Sequence, residues 1–390
     1  MNTATLDTAP RAGRGARLSI LHVVDALEFG GLERMVADIS AAQRSHGHAV
    51  AVFSLTGPGE LGPVIARAGV EVIDGGKRRG FDLALLARLR AAITRLDADI
   101  VHTHNFVPNY YAALANAAAW PRRPALVNTC HNMGARLAGA RLRRLYRLSL
   151  LRTAGVAGVG EGVARHLVER GLSPRARTVA VRNGVCMPAR ICPDRRAAAR
   201  ASLGIDPGAL LLGSVGRLVA LKNHRLLIGQ VARLSREFPS LQLLLVGDGP
   251  MRAGLESQAR ASGAPVRFTG ARDDVEALLP ALDAFVLPSH TEGLSIALLE
   301  ACATGLPSVA SRVGGNPEII DDGVTGILFP DDDGDALAAA LRRLLADPAL
   351  RARMGEAARA WVAANASMPA LRADYDAFYA RALGRAVECG

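Results

Sequence analysis

From Leu18 to Ala382 the chain alternates short apolar runs with amphipathic stretches, almost without interruption. That rhythm restricts the fold to parallel sheets covered by helices, because each apolar run needs cover on both faces. Strands are predicted in the first half at Leu18–Val24, Ala49–Leu55, Val70–Ile73, Ile100–Thr103, Ala125–Thr129, Val156–Val159 and Thr178–Val181. A break follows at Asn183-Gly184-Val185. Met187 to Arg200 carries two prolines and little periodicity, which places a domain linker there. The pattern then restarts with strands at Leu210–Val215, Leu241–Val246, Val266–Thr269, Ala284–Leu287, Ser308–Ala310 and Gly326–Phe329. Helical patterns fill Asp335–Ala346, Pro348–Ala364 and Pro369–Ala382. The predicted architecture is α/β: two Rossmann-like, doubly wound domains facing each other across a cleft. Residues 1–16 are expected to form a disordered tail, 17–186 the first domain and 187–366 the second, with 367–390 carrying a last helix.

At 390 residues and 50% hydrophobic, the chain can build two cores, filled by Leu, Val and Ala because aromatics are only 4%. No apolar run reaches the length of a membrane span, and Met1–Ala16 has no hydrophobic block of a signal peptide. Cys130, Cys186, Cys192, Cys302 and Cys389 show neither paired nor metal-ligand spacing, which fits a reducing cytoplasm. The formal charge is +11, yet Lys77 and Lys222 are the only lysines among 47 basic residues. This skew toward arginine reflects GC-rich codons as much as binding. With no nucleic-acid fold signature, interleaved aromatics or zinc spacing, no nucleic-acid partner is expected.

The densest chemical signal is Glu292-Gly293-Leu294-Ser295-Ile296-Ala297-Leu298-Leu299-Glu300. A buried strand leads into it, a loop spans Pro288–Gly293, and a helix is predicted from Ser295 to Thr304, stopped by Gly305 and Pro307. Glycine at the mouth of a helix leaves backbone N–H groups open, and the helix dipole adds to their pull on an anion. One carboxylate precedes this anion site and a second lies just over a turn inside the helix. Phosphate flanked by acceptors for hydroxyls suggests a sugar nucleotide. Gly216-Arg217-Leu218 and Lys222-Asn223-His224 follow the first strand of the second half, on the same rim. Arg217 can fork onto two phosphate oxygens, and Lys222 offers a compact charge to the same group.

Phe29-Gly30-Gly31-Leu32-Glu33 opens a helix after the first strand and would let a ligand approach the backbone. It lacks the spacing of a dinucleotide fingerprint. Gly247-Asp248-Gly249-Pro250 fails the same test and is read as a strand-to-helix turn. His131 follows a strand on the cleft rim. His102 and His104 are read as pointing to opposite faces of their strand, a packed or hydrogen-bonded pair that does not chelate. Asp331-Asp332-Asp333 is expected to cap a helix, and no metal site is expected. Arg136–Arg152 alternates Leu with Arg, a surface helix that could also touch an anionic membrane.

Taken together, the chain resembles a retaining glycosyltransferase of the GT-B fold, in family 4. The likeness rests on Gly30-Gly31-Leu32-Glu33, His131, Asn183-Gly184-Val185, Gly216-Arg217…Lys222-Asn223, Val246-Gly247-Asp248-Gly249-Pro250, Glu292…Glu300 and Val313-Gly314-Gly315-Asn316-Pro317-Glu318. It implies transfer of a hexose-type sugar from a UDP- or GDP-linked donor to a glycan or lipid-linked acceptor, with retention. Exopolysaccharide or other surface-glycan synthesis in a bacterium is the expected setting. In this resemblance Arg217 and Lys222 neutralise the donor diphosphate and Glu300 accepts from the ribose hydroxyls. Glu292, with the amides of Gly293, Leu294 and Ser295, holds the sugar and distal phosphate. Gly30 and Gly31 close on the phosphates, Gly216 lines the donor site, and His131 lies beside the transferred sugar. The last helix would cross back to the first domain. No cofactor or metal is implied. The alternatives are an epimerase or phosphorylase on the same fold, or a non-enzymatic basic protein that binds membrane surfaces. The protein is expected in the cytoplasm, with peripheral attachment to the inner face of the plasma membrane.

Overall fold

The computed structural model describes residues 17–28, 30–117, 124–131 and 139–385. Readings that fall on Met1–Ala16, Phe29, Asn132 and Arg136 lie outside the described residues. The first domain runs β1 (Ser19–Val24), α1 (Gly31–Ser45), β2 (Ala49–Ser54), α2 (Gly62–Arg67), β3 (Glu71–Asp74), α3 (Leu83–Arg95) and β4 (Ile100–His104). It continues with α4 (Phe106–Ala117), β5 (Ala125–Cys130), α5 (Ala140–Leu150), β6 (Gly155–Val159), α6 (Glu161–Glu169) and β7 (Thr178–Val181). The seven strands pair in parallel in the order β3-β2-β1-β4-β5-β6-β7.

The second domain begins with α7 (Pro193–Ser202), β8 (Leu210–Val215), α8 (His224–Leu234), β9 (Leu241–Val246), α9 (Arg252–Ser262) and β10 (Val266–Gly270). Then come α10 (Val275–Leu278), β11 (Ala284–Leu287), α11 (Ile296–Thr304), β12 (Ser308–Ser311), α12 (Asn316–Ile319), β13 (Gly326–Phe329), α13 (Gly334–Ala346) and α14 (Pro348–Asn365). Its six parallel strands are ordered β10-β9-β8-β11-β12-β13. Strand order reverses between β1 and β4 and between β8 and β11. Ligands of open α/β sheets bind in the crevice beyond such switch points, at the carboxyl ends of the strands.

The segment read as an aperiodic linker carries α7. Pro193 starts that helix, and its buried Arg200 donates to the carbonyls of Ala281 (3.1 Å) and Ala209 (2.9 Å) and to Asp283 (2.8 Å). Its periodicity is hidden because an arginine, not an aliphatic side chain, fills the inward position. α15 (Met368–Ala382) crosses to the first sheet, where Leu371, Tyr375, Phe378 and Tyr379 join the core of Ile20, Val127 and Val181. The crossing is pinned by Val185, whose N–H donates to Ala366 O (2.9 Å) and whose carbonyl accepts from Met368 N (3.0 Å).

Candidate active site in the interdomain cleft

The loops that leave β1, β5, β8 and β11 converge between the domains. After β11, Ser295 caps α11 by accepting from the Leu298 amide (3.3 Å), and Gly305 closes the helix in the left-handed region at φ 91°. The amides of Gly293, Leu294 and Ser295 make no hydrogen bond to other described residues. The Gly293 and Leu294 carbonyls are held instead: Gly293 O by Gly315 N (2.8 Å), Leu294 O by Asn183 Nδ2 (2.9 Å). A fixed turn whose N–H groups lack described protein partners at a helix mouth is suited to hold an anion.

Glu292 is nearly buried, and its Oε1 accepts from both Lys222 Nζ (2.6 Å) and Ser289 Oγ (2.6 Å). Ser289 was not singled out from the sequence; a serine following the proline at the end of β11 was the only signal. Lys222 lies across Gly216 (φ 154°), where a Cβ would come within 3.6 Å of the lysine stem. Gly247, at φ 137°, allows the Gly216 carbonyl to sit against the turn after β9, where any Cβ would overlap it. The Gly247–Pro250 segment is therefore a strand-to-helix turn that supports the Arg217 loop. Arg217 itself is exposed.

The acidic loop is a brace. Asp333 caps α13 through the Ala336 amide (2.9 Å), Asp332 accepts from Asn223 Nδ2 (3.0 Å), and Asp331 meets His290 Nδ1 (2.9 Å). Both the Lys222 loop and the Glu292 loop are thereby tied to β13's exit.

From the opposite domain, α1 aims its N-terminus at α11. A Cβ on Gly31 would lie 3.4 Å from the Ile296 side chain, and one on Gly30 would overlap the Glu33 carboxylate. Glu33 folds back over its own helix mouth, and burial raises its pKa. Glu300, half-buried on α11, is pushed up to about 7 by burial; Arg34 of α1 opposes the rise, and Asp38 and Glu276 add to it.

His131 ends β5. Its amide donates to Asn105 Oδ1 (2.8 Å), with Asn105 itself at φ 65°, and its carbonyl faces Gly293 so closely that a Cβ there would overlap it. Burial lowers its pKa to about 3, so the ring is neutral. The domains also meet at Glu318, whose carboxylate accepts from the amides of Glu161 (2.7 Å) and Gly162 (2.8 Å) at the start of α6. That carboxylate satisfies a helix mouth of the other domain, a role the motif spacing did not reveal.

His102 and His104 share a face of β4, contrary to expectation, because the side-chain period of a strand is two residues. Their rings lie 4.3 Å apart, and His22 of β1 completes a buried trio whose ligand atoms fall within 4.8 Å of one another. Every ring nitrogen of this trio already has a hydrogen-bond partner. A cation there would have to break that network.

Two facing Rossmann-like domains, with a basic loop and a helix mouth at the switch point, define the GT-B class of glycosyltransferases. The profile described as Glycosyltransferase Family 4 matches residues 29–187, and that of Glycosyl transferases group 1 matches residues 195–361. A D-inositol 3-phosphate glycosyltransferase of Actinosynnema mirum is 31% identical over 368 residues, covering 83% of this chain and 86% of that protein. The chain belongs to glycosyltransferase family 4. A second D-inositol 3-phosphate glycosyltransferase, from Saccharomonospora viridis, is 38% identical over 185 residues, 44% of this chain but only 42% of that relative's length. In structure, the protein is similar to Anabaena HepE in complex with UDP and glucose, with a TM-score of 0.81 at 20% identity, covering 92% of this chain and 98% of that one.

Proposed function

We propose that this protein transfers a hexose-type sugar from a UDP- or GDP-linked donor to a glycan or lipid-linked acceptor with retention of configuration, in bacterial exopolysaccharide or other surface-glycan synthesis. One observation carries the reading: the Lys222–Glu292 pair and the open amides of Gly293–Ser295 lie on the same β8/β11 rim as the Arg217 loop, with the His131 carbonyl against Gly293. In this reading the donor diphosphate lies on those amides and on Arg217 and Lys222. Glu300 holds the ribose, Glu292 the sugar, and Gly30 and Gly31 close over the phosphates from α1. Charge that builds on the leaving diphosphate is then met by groups already in place. Residues 187–366 would bind the donor, and 17–186, with the returning helix, would present the acceptor.

A lipid-carried acceptor also accounts for the surface of α5. That helix exposes Arg144, Arg147 and Leu148, with Leu151 beyond its end. Among the described residues no helix is long and apolar enough to cross a membrane. Reversible attachment through this face to anionic lipid is the expected mode. The primary test is thermal stabilisation by a panel of UDP- and GDP-sugars. A donor at 100 times its dissociation constant adds about 2.7 kcal/mol. Failure of every sugar nucleotide to stabilise the fold would refute the reading.

A further inference from the structure

The buried histidines form one continuous hydrogen-bonded file that begins at His131, passes through the terminal helix and ends at Thr129 of β5. His131 Nε2 lies 3.1 Å from His104 Nδ1, and His104 Nε2 lies 3.0 Å from His22 Nδ1. His22 Nε2 meets Gln43 Oε1 on α1 at 2.8 Å, and Gln43 Nε2 donates to Tyr379 Oη at 3.2 Å. Tyr379 Oη is 2.7 Å from His102 Nδ1, and His102 Nε2 is 2.7 Å from Thr129 Oγ1. His22, His102, Gln43 and Tyr379 are fully buried, and His104 and His131 nearly so.

Burial disfavours charge on all four imidazoles, so each carries one proton. The Gln43 amide then orders the file. Its carbonyl oxygen can only accept, so His22 donates from Nε2 and accepts at Nδ1. His104 must therefore donate from Nε2 and accept at Nδ1, and His131 must do the same. On the other side Gln43 Nε2 donates to Tyr379, whose hydroxyl proton goes to His102 Nδ1, and His102 donates from Nε2 to Thr129. With Oε1 of the amide turned toward His22, one arrangement satisfies every donor and acceptor, with all four rings in the Nε2–H tautomer; the opposite amide orientation would reverse every proton and place all four on Nδ1.

We propose that His104, His22, Gln43 and Tyr379 are positioning residues that hold the His131 ring in a single neutral tautomer, proton on Nε2 and lone pair on Nδ1. The inference that this matters for turnover rests on the glycosyltransferase reading; the tautomer itself does not. The file runs from the cleft to α15, so the last helix of the chain helps to set the hydrogen-bonding character of a cleft residue more than 240 positions earlier.

The test is nitrogen NMR of protein labelled with 15N-histidine, without substrate, where a protonated and a bare ring nitrogen are distinguished by shift and coupling. The native chain should show His131 as the Nε2–H form alone. Gln43→Met, which removes the acceptor, should give mixed tautomers at His131, whereas Gln43→Glu, which keeps an acceptor toward His22, should preserve the native form. Tyr379→Phe disturbs the file from its other side and serves if Gln43→Met does not fold. In turnover, Gln43→Met should lower kcat by about ten-fold with the donor KM changed by less than about two-fold, and Gln43→Glu should recover most of the loss. The Nδ1–H form or mixed tautomers in the native chain, a His131 signal unmoved by both Gln43→Met and Tyr379→Phe, or one equivalent of bound metal in the purified protein would each overturn the proposal. Absence of any glycosyl transfer with the predicted tautomer intact would instead remove the functional reading alone.

Discussion

Lys222 Nζ stands 2.6 Å from Glu292 Oε1, so the cation expected to meet the donor diphosphate is already paired with the carboxylate expected to meet the sugar. The two groups hold each other in place before donor arrives, with Ser289 sharing the same carboxylate oxygen. Removing the lysine leaves a nearly buried carboxylate without its partner.

Lys222→Ala and Arg217→Ala should each lower kcat by about 10²–10³. They should differ in stability. Lys222→Ala strands Glu292 and should lower the melting temperature, whereas the exposed Arg217 should be removable without a change in melting. Steady-state kinetics with thermal melts of both variants checks this. Near-native turnover in both would reject the diphosphate assignment.

Glu300→Ala should weaken donor binding, whereas Glu292→Ala should reduce transfer more than binding. Because Glu300 is held up to about 7 in the free protein, binding that needs its carboxylate should be full above that pH. Affinity should then fall roughly ten-fold per pH unit below it. Calorimetric donor titrations from about pH 5.5 to about pH 8.5 should show this slope in the native chain and not in Glu300→Ala.

The neutral histidine file makes the fold acid-sensitive. His22 titrates at about 4 and His131 at about 3 when folded, both below the ordinary value of 6.5, so between these pH values the unfolded chain binds more protons. Stability should therefore fall as pH drops below 6.5, by up to about 1.4 kcal/mol per pH unit for each such histidine. Urea unfolding at neutral and acidic pH measures it, and His22→Gln should flatten the dependence.

Transfer should survive excess EDTA, since the candidate donor site offers cations and amides to the phosphates in place of a metal. Loss of activity on chelation with rescue by magnesium or manganese would contradict this. Sedimentation with anionic vesicles at low and high salt tests the α5 face. Arg144→Glu with Leu148→Ser should abolish the salt-sensitive fraction.

Strand positions were legible because fully buried parallel strands read as unbroken apolar runs: Ala284–Leu287 and Leu243–Val246 need no tertiary information. The switch-point rule then brought Arg217, Lys222 and Glu292 to one rim. What escaped was pairing across the chain. Nothing local says that Lys222 and Ser289 share the Glu292 carboxylate, or that Glu318 caps α6 in the other domain. Gln43 looks like an ordinary polar helix residue until α15 lies over it. The four histidines became a single file only because β1, β4 and β5 are neighbours and present alternate residues to one face.

The return of α15 separates order of synthesis from order of folding. The second domain is contiguous in sequence, but the first lacks Tyr375, Phe378 and Tyr379 until the end of the chain has emerged. On the ribosome the earlier half must wait with an uncovered apolar face while the later half completes. The newly made chain therefore has its second domain built first and its histidine file closed last. A stop codon after Asn365 would leave a chain of nearly full length whose first domain can never be finished.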